Sequence, residues 1–144
     1  MKILIMGLPG AGKTTLASSL REVLWADGKT VAWFNADDVR AKHDDWDFTP
    51  EGRARQNERM IKLAEEYHSK CKYVICDFVA PLSKLREDFN ADFIIWVDTI
   101  NTSIFEDTNS IFEQPENYNI RVTEKDSKRW ATVIAGIINP KEKL

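Results

Sequence analysis

The chain has 144 residues, 43% hydrophobic and 30% charged, with two cysteines and a formal net charge of −3. That length makes one domain, residues 1–144, with a single core, and the acidic balance argues against a non-specific grip on nucleic acid, which needs a positive surface. No apolar run approaches the roughly 18 residues of a membrane span, no secretory leader is evident, and Cys71 and Cys76 read as ordinary buried thiols, so the expected location is cytoplasmic.

Lys2–Met6 is an apolar run of strand length, and Gly7–Thr14, G-L-P-G-A-G-K-T, fits the pattern G-x-x-x-x-G-K-[ST]. A helical pattern opens at Lys13 and runs to about Trp25, with Leu16, Leu20, Val23 and Leu24 on one face. A loop that leaves a strand and feeds a helix aims successive backbone N–H groups at one point, where the helix dipole also favours negative charge. Gly7, Leu8, Pro9, Gly10, Ala11, Gly12, Lys13, Thr14 and Thr15 are therefore the candidate cradle for ATP. Lys13 is placed to reach the β- and γ-phosphates, and the Thr14 hydroxyl to ligate Mg²⁺.

A second strand is expected over Thr30–Phe34, ending in the polar group Asn35-Ala36-Asp37-Asp38 and then Val39-Arg40. After a polar, aromatic-marked stretch, His43–Phe48, Thr49 and Pro50 read as the N-cap and first position of a helix reaching about Ser69. Met60, Leu63, Ala64 and Tyr67 form its apolar stripe, and the helical period puts Arg53 and Gln56 on the same side while Arg55 and Lys62 point away. Tyr73–Asp77 is a buried strand ending in a carboxylate, a position from which an acid can hold Mg²⁺. Phe78-Val79-Ala80-Pro81 leads to a short helix whose Lys84 and Arg86 read as a solvated face. Strands over Phe93–Val97 and Tyr118–Val122 flank a short helix and loop at 101–117, and a final helix, Lys125–Ile138, is expected to bury Trp130, Val133, Ile134 and Ile137. His43 and His68 are isolated and read as surface residues. The alternation of strands and helices makes an α/β fold, a five-stranded parallel sheet with helices on both faces and all carboxyl ends on one rim.

The P-loop, the N-A-D-D-V-R segment, D-F-T-P-E-G-R-A-R-Q, F-V-A-P, V-D-T and F-E-Q-P-E-N follow one another in an order that resembles the adenylylsulfate kinases, over roughly residues 1–122. The resemblance implies a P-loop kinase fold and transfer of the γ-phosphate of ATP to the 3′-hydroxyl of adenosine 5′-phosphosulfate (APS), or a similar small nucleotide. It also implies roles. Asp37 meets the acceptor hydroxyl and the Mg²⁺ region and, with Lys13, is the catalytic candidate; as a metal candidate it joins Thr14, read from the phosphate loop, and Asp77, read from its strand-end position. Arg40 and Arg53 meet the acceptor's anionic group, Phe48 stacks on its base, and Gln56 and Val79 complete the acceptor site.

Departures from the family pattern accompany these matches. Asn35 stands where the family has its first aspartate, and Asp77 where it usually lacks an acid. Ala80 replaces a serine, which excludes a phosphoserine there, and the basic lid expected between Asp107 and Phe112 is missing. Two alternatives stay open. N-A-D-D-V-R is similar to the N-R-D-D-x-R of polynucleotide 5′-hydroxyl kinases, which the acidic balance opposes, and the missing lid suits an ATP-binding module without turnover. A homodimer is open as well.

Overall fold

A computed structural model describes residues 1–140. Its strands are β1 (Lys2–Met6), β2 (Val31–Asn35), β3 (Tyr73–Asp77), β4 (Phe93–Val97) and β5 (Ile120–Val122). Its helices are α1 (Lys13–Ala26), α2 (Ala36–His43), α3 (Pro50–His68), α4 (Ser83–Phe89), α5 (Glu106–Ile111) and α6 (Ser127–Ile138). The five strands form one parallel sheet in the order β2-β3-β1-β4-β5. Strand order reverses at β1, and ligands of open α/β sheets settle at such a switch point, beyond the carboxyl ends. The loop after β1 occupies it.

Successive side chains of a strand face opposite sides, so each strand feeds two cores. Ile3 and Ile5 of β1 pack with Leu16, Leu20 and Leu24 of α1 and with Ile134 of α6. Leu4 and Met6 face the other way, onto Met60 and Ala64 of α3 and Phe89 of α4. β3 is buried along its whole length, as a central parallel strand with both faces covered must be. No helix among the described residues is long and apolar enough to cross a membrane.

The structure departs from the sequence reading at several points. In the Asn35–Arg40 segment, read as a polar strand end, only Asn35 closes β2, and Ala36–Arg40 begin α2. The Asn35 side chain accepts from Asp38 N and supplies the cap that a helix start lacks. β5 is shorter than expected, and Tyr118 lies outside it with its ring 5.4 Å from that of Trp96. α6 begins at Ser127 behind an Asp126 cap, leaving Lys125 in the preceding loop. Its buried stripe is Ala131, Ile134 and Ala135, while Val133 and Ile137 are 44% and 53% exposed and Trp130 is half-buried. Small alanines let α6 lie close on α1, which turns the larger side chains outward. Of the two free thiols only Cys76 is buried; Cys71 is half-buried.

Arg86 also departs from expectation. It is buried, and it donates to the carbonyls of Ala80 (2.8 Å), Pro81 (3.2 Å) and Glu113. Those bonds pin the loop after β3, where Ala80 takes a left-handed φ of 46°. Lys84 is exposed as expected and pairs with Asp88 at 3.0 Å.

Candidate functional site

A cavity of about 1350 Å³ opens over the carboxyl ends of the strands. Single-ligand pockets occupy about 300–1,000 Å³, so this one has room for two small ligands. Three groups of residues line it, each delivered by a different connection.

The first is the loop after β1. Gly7 turns the chain at φ 149°, where a Cβ would stand 2.3 Å from the Val97 carbonyl oxygen, so only glycine fits beneath β4. Pro9 to Thr15 face the cavity, whereas Gly7 and Leu8 lie behind it and act by shaping the turn. Gly12, with φ 101°, begins α1. Lys13 is buried, and its Nζ donates to Leu8 O at 3.0 Å. Burial pulls its pKa down to about 8, against the opposing charges of Asp77 and Asp37. Two outside groups hold the loop's carbonyls: Thr99 Oγ1 donates to Ala11 O at 2.7 Å and Lys125 Nζ to Gly10 O at 3.0 Å.

The second group joins the ends of β2 and β3. Asn35 and Asp77 are register partners, so their side chains emerge together. Asp77 is almost fully buried; its Oδ1 accepts from Thr14 Oγ1 (3.2 Å) and Asn35 Nδ2 (3.0 Å), and its Oδ2 from Trp33 Nε1 (2.6 Å). Burial raises its pKa, while the Trp33 bond, the Lys13 charge and the Thr14 and Asn35 bonds oppose that rise. Asp37 sits in the exposed first turn of α2, facing the cavity, close enough for its charge to act on both Lys13 and Arg40. Mg²⁺ takes few protein ligands and leaves the remainder to phosphate and water. A Thr14 hydroxyl bonded to a carboxylate fits that demand. No group of three or more His, Cys, Asp or Glu side chains suited to hold a metal by itself occurs among the described residues.

The third group is the bank made by α2, α3 and the loop between them. Phe48 is 52% exposed, with the Arg40 guanidinium 4.3 Å and the Arg53 guanidinium 5.5 Å from its ring centroid. Arg40 Nη1 donates to the carbonyls of Asp45 (3.0 Å) and Asp47 (3.1 Å), and Arg53 Nε to that of Phe48 (2.8 Å). Both arginines line the cavity while spending part of their donors on the loop. Asp45 ties the loop from behind through Arg55 and Arg59, at 2.7 Å each. Gln56 is buried, donating to Ala36 O at 2.9 Å and accepting from Arg59 at 3.2 Å, so it holds α2 onto α3 as well as lining the cavity. Val79 lines the opposite wall.

The expected residues from Pro9 onward therefore meet at one cavity, together with Trp46, which is half-exposed there. Asp98 lies outside the lining and pairs with Arg121 at 2.5 Å. His43 and His68 are exposed, as expected. Trp33, Thr99 and Lys125 escaped the sequence reading. Trp33 was the legible one, since strand alternation puts it on the same face as Asn35 two residues later.

A parallel sheet of this order, with a glycine-rich phosphate loop at its switch point, is the P-loop kinase fold. The comparisons with known proteins narrow that class. The family model for adenylylsulphate kinase matches residues 1–108, and the chain belongs to that family. A probable adenylyl-sulfate kinase of Aeropyrum pernix is 35% identical over 83 residues, which are 57% of this chain and 45% of that protein. The bifunctional enzyme NodQ of Rhizobium meliloti is 33% identical over 81 residues, 56% of this chain and 13% of its own length. The chain thus spans less than half the length of the curated relatives it matches. Among solved structures, the APS kinase CysC of Mycobacterium tuberculosis, in complex with AMPPNP and APS, superimposes with a TM-score of 0.80 at 18% identity, covering 95% of this chain and 96% of that one. That likeness is one of fold.

Proposed function

We propose that this chain transfers the γ-phosphoryl group of ATP to an alcohol, and that the alcohol is the 3′-hydroxyl of APS. The observation that carries the reading is one cavity with a phosphate loop on one bank, Arg40, Phe48 and Arg53 on the other, and Asp37 acting on both. The backbone N–H groups of 9–15 and the Lys13 ammonium receive the triphosphate. Thr14, with Asp77 and Asp37, would hold Mg²⁺, which when bound neutralises charge on the β- and γ-phosphates. Phe48 takes the acceptor's base, and the N–H groups that Arg40 and Arg53 do not spend on the loop face its anionic group. Asp37 accepts the proton of the attacking hydroxyl. A bond forms from that oxygen to the γ-phosphorus as the bond to the β-phosphate oxygen breaks, and ADP leaves.

Phosphoryl transfer needs positive charge around the moving group. The short α5 stands where the family resemblance implies a basic lid, and it brings Glu106 and Asp107 to the cavity. The cavity's basic lining among the described residues is Lys13, Arg40, Arg53 and Lys125. Charge at the phosphates therefore comes from the loop side and the metal rather than from a cover.

The test is to incubate the protein with ATP, Mg²⁺ and APS and to follow the products by mass spectrometry. Equal amounts of ADP and 3′-phosphorylated APS are expected. ATP bound without product would leave a nucleotide-binding module, and phosphate appearing on a 5′-hydroxyl oligonucleotide instead would make the acceptor a polymer end.

A further inference from the structure

Asp77 receives three hydrogen bonds, and the shortest comes from outside the cavity. Trp33 does not line the cavity; it lies behind the carboxylate and donates from Nε1 to Oδ2 at 2.6 Å. Thr14 and Asn35 share the other oxygen, Oδ1. An indole N–H is a donor only, so it gives this contact one polarity and matches it to a carboxylate oxygen.

The Trp33 ring is itself braced. The Arg21 guanidinium stands 4.8 Å from its centroid and 4.5 Å from that of Trp25, so the cation is shared between two indole rings. Arg21 Nε is buried with no hydrogen-bond partner among the described residues. A cation on the π face draws electron density from the ring, which makes its N–H the stronger donor. A line of contacts thus runs from α1 through β2 to the end of β3: Arg21, Trp33, Asp77, Thr14.

We propose that Trp33, braced by Arg21, is a positioning residue for the corner formed by Thr14 and Asp77. By holding Oδ2 it turns Oδ1 toward the Thr14 hydroxyl, where a cation arriving with nucleotide is met. Groups that orient a metal-binding carboxylate from behind are worth about 10–100-fold in metal affinity. The inference rests on the nucleotide reading of the cavity, and its test separates the two.

Trp33→Phe keeps an aromatic face for Arg21 and removes the N–H. The Mg²⁺ concentration that half-maximally tightens ATP binding, read by calorimetry, is expected to rise about tenfold, while ATP affinity in EDTA stays as in the parent. In an Asp77→Asn background the same substitution is expected to add nothing further. A second readout needs no Trp33 variant. In ¹⁵N–¹H spectra of the metal-free protein, the Trp33 indole proton should lie downfield of the other tryptophans and move upfield in Asp77→Asn. An unchanged Mg²⁺ dependence in Trp33→Phe, or an indole signal indifferent to Asp77→Asn, overturns the inference. Parent protein that binds no ATP while keeping the downfield signal overturns the nucleotide reading and leaves the Trp33–Asp77 bond standing.

Discussion

Asp37 and Lys13 divide the proposed chemistry at the level of single side chains. Asp37 is exposed in the first turn of α2, and among the described residues no hydrogen bond engages its carboxylate. Asp37→Asn is therefore expected to leave ATP affinity in EDTA unchanged and, with Mg²⁺ at saturation, to lower kcat by about 10²–10⁴-fold, the usual share of a general base; steady-state kinetics beside calorimetry on the same preparation check it. The phosphate loop was legible because its parts are contiguous: glycines, lysine and threonine sit at fixed spacing between a strand and a helix. Arg40 and Arg53 were legible only in part. Apart from the Thr108 hydroxyl that Arg53 also reaches, their partners are backbone carbonyls of the 45–48 loop, and side-chain pattern carries no record of where a carbonyl points. The Trp33–Asp77 bond depends on β2 and β3 being neighbours in register, a fact of sheet order rather than of local spacing.

The 44–49 loop between α2 and α3 sets how firmly the bank proposed to hold the acceptor is fixed. Hydrogen bonds from Arg55 and Arg59 keep the Asp45 carboxyl well below the usual carboxylate range. A pKa depressed in the folded state contributes stability that is complete above the unfolded value, about 3.9, and is lost as pH falls through the folded value. The loop is thus expected to hold at neutral pH and to loosen only in strong acid, seen as a change in Trp46 emission before global unfolding. Asp45→Asn should bring that loosening to neutral pH and raise KM for the acceptor with little change in KM for ATP. Gly52 lies in the first turn of α3 beneath the same loop, where a Cβ would stand 2.2 Å from Asp47 O. Gly52→Ala should cost about 1–3 kcal/mol, the range for overpacking, read as a lowered denaturation midpoint at unchanged slope. The Thr49-Pro50 start of α3 was readable because cap and proline are adjacent in sequence. The start of α2 was not, because Asn35 serves at once as strand end, helix cap and partner of Asp77.

Across the whole molecule, α1 and α6 close one face of the sheet, and the contact is built on Ala131, Ile134 and Ala135. Ile134→Ala is expected to destabilise by about 2–5 kcal/mol, the range for emptying a core site. Ile137→Ala, on the outward face, should stay within about 0.5 kcal/mol; paired urea titrations distinguish them. The sequence reading put Val133 and Ile137 inside because size dominates an apolar pattern, whereas close helix contact selects small residues. The sheet itself was easier to foresee, since alternating strands and helices joined by right-handed crossovers leave few topologies.

The two grips on the phosphate loop carry a consequence for how the protein is made. Gly10 and Ala11 are made well before Thr99 and Lys125, the residues whose side chains steady their carbonyls. A growing chain therefore carries its glycine-rich turn unbraced until those later residues follow. It acquires a settled nucleotide cradle only when β5 is laid on the sheet edge and residue 125 has emerged.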